Sequence, residues 1–390
     1  MDHVNLSRSQ EALLDGAAGE IPKKAMALLV TLGKMLGARK MIRISSAQVS
    51  GVSYLTIGDA GLDFLTEWSG SGASAKVKTT TNPAGMDQSR WREMNVPEEF
   101  AAKQIKVMDC FDRMKVCPSY TCVPYLSGNR PRYGEHVSWA ESSAVVFANS
   151  VLGARTNRES GMSALASAIT GFTPAHGLHL SAERRPTCDV RINQEEMNEL
   201  ECSALGYLIA QKIQTGIPNL VKSRVMNVDK LKALGASLGA AGAIPMFTQM
   251  KRSPKREMIT VSNEDIQNVI RELSRENKSE HVCLGCPHLS LGELKHIAEL
   301  LKGKKTKKHL WCFTARPIRD HAKRLGYVDC IEKAGGKVFC DTCMVVSPMR
   351  EMGVEGTLTN SCKAAHYLPS LSKVEPTLRN LEECIHLAAT

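Results

Sequence analysis

His281-Val282-Cys283-Leu284-Gly285-Cys286 is a short run of apolar and small residues that ends at a glycine and a cysteine. It reads as a buried strand, and its neighbours on both sides decide what kind of sheet it joins. Downstream, Ser290 to Lys302 has helical periodicity, His309 to Phe313 reads as a strand, Arg319 to Gly335 as a helix, and Lys337 to Cys340 as a strand. Upstream, Met258 to Val261 reads as a strand and Asn263 to Arg275 as a helix. Strands that alternate with helices specify a parallel, doubly wound α/β sheet. Such sheets bind ligands beyond the carboxyl ends of their strands. Cys286 follows one strand and Cys343 another, which places both on the functional rim of one sheet.

Working back from this segment, the basic, Pro-interrupted stretch Gln249 to Arg256 marks a boundary. The division expected is an N-terminal α/β region over 1–250, in two subdomains, and a C-terminal doubly wound domain over 251–390. In the N-terminal region, 7–17 and 21–36 read as helices, with Ser7 and Gln10 spaced for a capping box. Met41 to Val49 reads as one strand that runs into Gly51-Val52-Ser53-Tyr54, and Gly58-Asp59-Ala60-Gly61 opens a helix through Trp68. Glycines at strand-to-helix turns let backbone N–H groups approach an anion. Lys76 to Thr81 is a β-rich run that ends in the polar loop Asn82-Pro83-Ala84-Gly85-Met86-Asp87. Residues 97–115 and Ser138 to Leu152 read as helices. Glu141 and Asn149 on the second are polar groups on an apolar helix, and so require specific partners. Further on, 160–170, Asn198 to Ile213 and Val228 to Ala241 read as helices, and Pro186 to Asn193 as a strand.

Bulk properties narrow the function classes. The chain has 390 residues, enough for two or three domains, and 43% hydrophobic content, which is globular. The apolar run Ala25 to Leu36 is too short to span a bilayer and contains Lys34, and Met1-Asp2-His3-Val4-Asn5 lacks the pattern of a secretion leader. A soluble, cytoplasmic protein with no membrane partner is expected. Thirteen cysteines, an odd number spread over a long chain, do not form a disulfide framework. The net charge is +10, but its sharpest run, Lys302 to Lys308, has no interleaved aromatics and reads as a solvated turn. No nucleic-acid partner is expected; the surplus suits an anionic small molecule.

Two Cys-x-x-Cys pairs stand out, Cys283/Cys286 and Cys340/Cys343, and the second begins 54 positions after the first ends. Zinc ribbons space their pairs by about 15–20 residues, so a ribbon fits poorly. Cys283 and Cys340 fall inside β-runs and face the core, whereas Cys286 and Cys343 follow strand ends. A third thiol, Cys122, sits in the Pro/Gly turn Tyr120-Thr121-Cys122-Val123-Pro124-Tyr125-Leu126-Ser127-Gly128-Asn129. Three thiolates with an open fourth corner would hold a metal as a Lewis acid. Spacing alone does not single these out among the thirteen, and a zinc-stabilised binding protein stays open beside an enzyme. His136, His288 and His366 are read as hydrogen-bonded structural histidines before ligands.

Several stretches together carry a resemblance. They are Gly51 to Tyr54 with Gly58 to Gly61, Thr79 to Asp87, Tyr120-Thr121-Cys122, Gly134 to Ser143, Gly153 to Asn157, Gly285-Cys286-Pro287-His288, Asp341-Thr342-Cys343 and Thr359 to Tyr367. The chain resembles the large subunit of the aconitase X family, in the aconitase superfamily. The resemblance implies an aconitase-like multi-domain architecture and an iron–sulfur hydro-lyase. Its cluster, expected to be [4Fe-4S], would be held by Cys122, Cys286 and Cys343. It implies Gly51, Val52 and Ser53 as contacts to an anionic group, Asn82 and Pro83 as pocket walls, and Arg155 and Lys363 as substrate cations. Arg158 is a second candidate beside Arg155. A separate small subunit would complete the site as a heterodimer and carry a catalytic serine, with the general base unassigned in this chain. Two activities compete: dehydration of (R)-5-phosphomevalonate to trans-anhydromevalonate 5-phosphate in archaeal isoprenoid synthesis, and dehydration of cis-3-hydroxy-L-proline. The loop Asn82 to Asp87 resembles the first type more closely. Cys362 stands where the family motif has a smaller residue, which puts a further thiol near the expected ligands.

Overall fold

Met41 to Val49 forms two strands where one is expected. In the computed structural model, which describes residues 4–194, 196–221, 226–275 and 279–390, β1 is Met41–Arg43 and β2 is Ser46–Val49. The two residues between them bond to different parts of the chain: Ile44 N–H donates to Gly171 O at 3.1 Å and Ser45 N–H to His136 O at 2.8 Å. Those bonds turn the chain from one sheet into another. β2 is the centre of a parallel sheet with β3 (Lys78–Thr81) on one side and β4 (Val137–Trp139) on the other. β1 pairs antiparallel with β5 (Phe172–Pro174).

Two expectations in this region are corrected. Ser138 and Trp139 belong to β4, and the helix expected from Ser138 begins at Ser142, capped by the Glu141 side chain. The apolar run conceals the change of element because a strand buried on both faces and a buried helix share one composition. The helix after Gly51 starts at Tyr54, ahead of Gly58, with Ser53 as its N-cap; Gly58 (φ 58°, ψ −164°) kinks it.

The middle region is a parallel sheet of β6 (Cys188–Ile192), β7 (Pro218–Val221) and β8 (Glu257–Val261), in the order β7-β6-β8. Helices Glu199–Ile213, Val228–Ala241 and Asn263–Leu273 pack with it around Val190, Leu205, Leu234 and Val261. β8 was expected to open the C-terminal sheet. It pairs instead with β6 over Glu257 to Val261. The β/α rhythm of a sequence records that a strand exists and not which sheet it enters.

The last region is a five-stranded, all-parallel sheet of β9 (His281–Leu289), β10 (His309–Thr314), β11 (Lys337–Phe339), β12 (Gly356–Thr359) and β13 (Glu375–Leu378), ordered β11-β10-β9-β12-β13. Val282, Leu284, Leu310, Cys312, Val338 and Leu358 form its core with helices Leu291–Leu301 and Leu381–Ala389. The helix expected over Arg319 to Gly335 is two, Arg316–Arg324 and Tyr327–Lys333, parted by Gly326 at φ 78°. Among the described residues, no helix is long and apolar enough to cross a membrane.

β9 does not stop before Cys286. Leu284 pairs with Cys312 and Leu289 with Thr314, so Gly285 to His288 bulge out of an otherwise continuous strand. Gly285 makes this bulge possible. Its φ is +111°, and a Cβ there would lie 2.2 Å from the Phe313 carbonyl oxygen. Gly285→Ala is expected to destabilise the protein by about 3 kcal/mol or more, combining backbone strain with overpacking. A lowered midpoint in urea unfolding, read by circular dichroism, checks this.

Candidate active site

Cys122, Cys286 and Cys343 all line one cleft of about 360 Å³. They arrive by different routes: Cys122 in a loop tied to β3 through Thr121 N–H and Thr81 O at 3.0 Å, Cys286 on the β9 bulge, and Cys343 just beyond β11. All three are 5–8% exposed. Burial pushes the Cys122 thiol up to about 12, with Glu141 adding to the effect and Lys363 opposing it. Burial also raises Cys286 and Cys343, the latter further through the other two thiols. Cys122 Sγ nonetheless accepts from His288 N–H at 3.2 Å, and hydrogen bonding by Ser361 and by the Val345 backbone offsets part of the rise at Cys286 and Cys343. Donors placed this way stabilise negative charge on sulfur.

The partner required by the buried Glu141 is Lys363. Its Nζ hydrogen-bonds to Glu141 Oε1, and both side chains lie within the cleft wall. Burial alone would raise the Glu141 carboxyl. The Lys363 charge and hydrogen bonds from Lys363, Asn82 and Ser143 overcome this and hold it at about 2. Lys363 is correspondingly raised: burial opposes its charge, but Glu141, Cys286 and Cys122 favour it. Asn82 Nδ2 donates to Glu141 Oε2 at 2.8 Å, while Asn82 Oδ1 is buried without a partner. An unpaired acceptor on a cleft wall is costly and marks a place for a ligand hydroxyl or water.

Gly51, Val52, Ser53 and Pro83 also line the cleft. The Ser53 hydroxyl is committed, donating to Val346 O at 2.6 Å and accepting from Leu55 N–H at 3.2 Å. It therefore joins the first and last regions, and its proton is already given to a backbone carbonyl in place of the expected anion. Arg155 is not in the cleft. Its guanidinium donates to His179 O and Ser181 Oγ, each at 2.9 Å. Arg158 lines the cleft in its place, anchored by Nη1 to Gly239 O at 2.9 Å. Both arginines lie on an extended segment bridged to the chain at His136 and Trp139. A separation of three residues on extended backbone turns them to opposite sides. Cys362 is also outside the cleft, buried in the middle core with its N–H on Ser203 Oγ at 3.0 Å. His366 meets Tyr207 at 3.3 Å and His136 meets His179 at 3.0 Å, both away from the thiols.

The loop Asn82 to Asp87 is clamped onto the Cys343 segment. Ala84 N–H donates to Asp341 O at 2.7 Å, and Asp87 Oδ2 accepts from Cys340 N–H at 2.8 Å. Asp87 Oδ1 closes its own turn by accepting from the Ser89 and Arg90 amides at 2.9 and 3.0 Å. Two residues were given no place at the site by the sequence: Glu141, which lines the cleft, and Asp87, which clamps its loop; of the two candidate arginines it is Arg158 that lines the cleft. Glu141 was signalled by a charge on an apolar run; Asp87 sat in plain view in a polar loop, with no sign of a distant partner.

A carboxyl held low contributes stability that is complete above its unfolded value of 4.5 and is lost as pH falls toward about 2. Wild-type protein should therefore lose about 3 kcal/mol through Glu141 across that acid range. Glu141→Gln should flatten this limb and lower the neutral plateau, since Lys363 is left unpaired. Urea midpoints measured against pH for both proteins test the expectation.

Residues 3–182, 186–271 and 279–390 match the family profiles of the aconitase X first, second and third domains. The chain is 47% identical to the phosphomevalonate dehydratase large subunit of Methanocaldococcus jannaschii, over 97% of this chain and 99% of that protein. It is 46% identical to the protein of the same name from Methanothermobacter thermautotrophicus, over 94% of each. Cis-3-hydroxy-L-proline dehydratase of Pseudomonas aeruginosa is 32% identical, over 98% of this chain and 70% of that protein. The crystal structure of Thermococcus kodakaraensis aconitase X in its holo-form superposes with a TM-score of 0.93 at 39% identity, covering 99% of this chain and 100% of that one. By its three domain matches, its relatives and its fold, the chain belongs to the aconitase X family.

Proposed function

We propose that the chain is the large subunit of a dehydratase that removes water from (R)-5-phosphomevalonate to give trans-anhydromevalonate 5-phosphate, in archaeal-type isoprenoid synthesis. The observation that carries this reading is the convergence of Cys122, Cys286 and Cys343 on a cleft that also holds Arg158, Lys363 and the unpaired Asn82 Oδ1. The N–H and O–H donors at the three sulfurs fit a [4Fe-4S] cluster, and Cys122, Cys286 and Cys343 would hold it. When bound, such a cluster supplies a Lewis-acidic iron for the departing hydroxyl.

The chain's own residues have separable tasks. Arg158, rooted on Gly239 O and without an ion-pair partner among the described residues, offers its remaining donors to the phosphate. The N-terminus of the helix Tyr54–Gly70 adds positive potential on the same wall. Lys363 keeps its proton beside Glu141 and faces the substrate carboxylate as a fixed cation. Asn82 Oδ1 accepts from the substrate hydroxyl and orients it. The proton lost next to the carboxylate goes to a base supplied by a partner small subunit, which closes the cleft as a heterodimer. Correspondence with the relatives named large subunits over nearly their whole length favours this activity over cis-3-hydroxy-L-proline dehydration.

Anaerobic reconstitution with iron and sulfide, together with the small subunit, is expected to give a brown protein that dehydrates phosphomevalonate. Turnover of hydroxyproline alone would overturn the substrate, and colourless, zinc-loaded protein would overturn the cofactor. Cys122→Ser should abolish the visible absorbance and activity, whereas Cys283→Ser should keep both. Arg158→Met should raise KM for phosphomevalonate by about 100-fold with a smaller change in kcat, as expected for loss of a charged anchor.

A further inference from the structure

His288 touches all three thiol-bearing segments. It follows Cys286 by two residues. Its Nδ1 lies 2.9 Å from Thr121 Oγ1, beside Cys122, and its Nε2 lies 2.8 Å from Thr342 O, beside Cys343. Its backbone N–H points at Cys122 Sγ, and its carbonyl oxygen accepts from Lys232 Nζ at 3.1 Å. Lys232 is itself buried on the helix Val228–Ala241 and paired with Glu293. His288 is 0% exposed and is therefore the point at which the first, middle and last regions meet.

The direction of these bonds is set by the partners. A carbonyl oxygen only accepts, so Nε2 carries the hydrogen toward Thr342. Nδ1 is then an acceptor, and the Thr121 hydroxyl donates to it. Thr121 Oγ1 in turn accepts from Val123 N–H at 3.2 Å, which orients the turn around Cys122. A planar ring bonded at both edges holds its two partners at one separation, which a flexible side chain does not.

We propose that His288 is a positioning residue for the cofactor: it fixes the distance between the Cys122 and Cys343 loops and aims its own N–H at the Cys122 sulfur. The inference rests on the cluster reading above. Hydrogen bonds to cluster sulfurs set reduction potential and stability, and outer partners of metal ligands typically matter by about 10–100-fold. Thr121→Val removes the hydroxyl from this chain of bonds at nearly constant volume, while Thr121→Ser retains it. His288→Gln keeps a donor for Thr342 and gives up the rigid ring.

The experiment uses anaerobically reconstituted protein. It reads iron and sulfide per chain, the half-life of visible absorbance in air, the cluster midpoint potential, and the unfolding midpoint of the cluster-free form. Thr121→Val and His288→Gln are expected to lose the cluster about 10-fold faster, with a shifted potential, and Thr121→Ser is expected to restore both. Wild-type lifetime and potential in Thr121→Val overturn the proposal, as does a change confined to the unfolding midpoint. If His288→Gln does not fold, the Thr121 pair decides. Wild-type protein that takes up no iron overturns the cofactor reading and this one with it, and is distinguishable because no variant is then needed.

Discussion

Glu141 and Lys363 form an ion pair that is almost removed from water, and the cleft depends on it. Placing a carboxylate and an ammonium at this depth costs several kcal/mol for each. The cost is offset only if the two stay in contact and their remaining hydrogen-bonding capacity is met. Ser143 and Asn82 meet it for the carboxylate. Glu141 caps a helix of the first region, and Lys363 lies in the first turn of a helix of the last, Cys362–Tyr367. The pair thus sets how those regions face each other, and it orients Asn82 as it does so. A small shift between the regions would leave a buried charge unpaired, so the cleft has one low-energy geometry.

Around this pair, nearly every wall of the cleft is the segment that follows a parallel strand. Ser50 to Ser53 follow β2, Asn82 and Pro83 follow β3, Glu141 follows β4, Cys343 follows β11 and Lys363 follows β12. Two parallel sheets present their carboxyl ends to one space, and the general preference of such sheets for ligands at that rim operates twice. Cys286 reaches the same space by a bulge, because β9 runs on to Leu289 and has no end at the right place. The loop clamp through Asp87 and the contacts of His288 then hold these segments to one another. The thiols therefore keep their places although Cys122 lies more than a hundred residues before the other two.

Much of this was legible in the chain itself. The β/α rhythm predicted parallel sheets, and the position of Cys343 beyond a strand end was readable, whereas Cys286 lies on a bulge inside β9 and not after its end as expected. A charged residue on an apolar run signalled Glu141 before any partner was visible. The errors share one cause. The choice of Arg155 over Arg158, the placement of Ser138 and Trp139 in a helix, and the assignment of β8 to the last sheet each required knowing what the segment pairs with. Local composition does not contain that: alternation along an extended strand is readable only once its register is known, and a fully buried run suits helix and strand alike.

Patterns of short range were thus set by the sequence alone: the periodicity that makes helices and strands, and the capping residues at helix starts. These depend on side chains and backbone within a few positions of each other. The tertiary structure decided the pairings across large separations. It brought Cys122, Cys286 and Cys343 to one cleft, set Lys363 against Glu141, and placed His288 between Thr121 and Thr342. Such contacts follow from how sheets twist, bulge and face one another, and a buried charge or an imidazole with two hydrogen-bonding edges acquires its meaning only from the partner that the fold delivers.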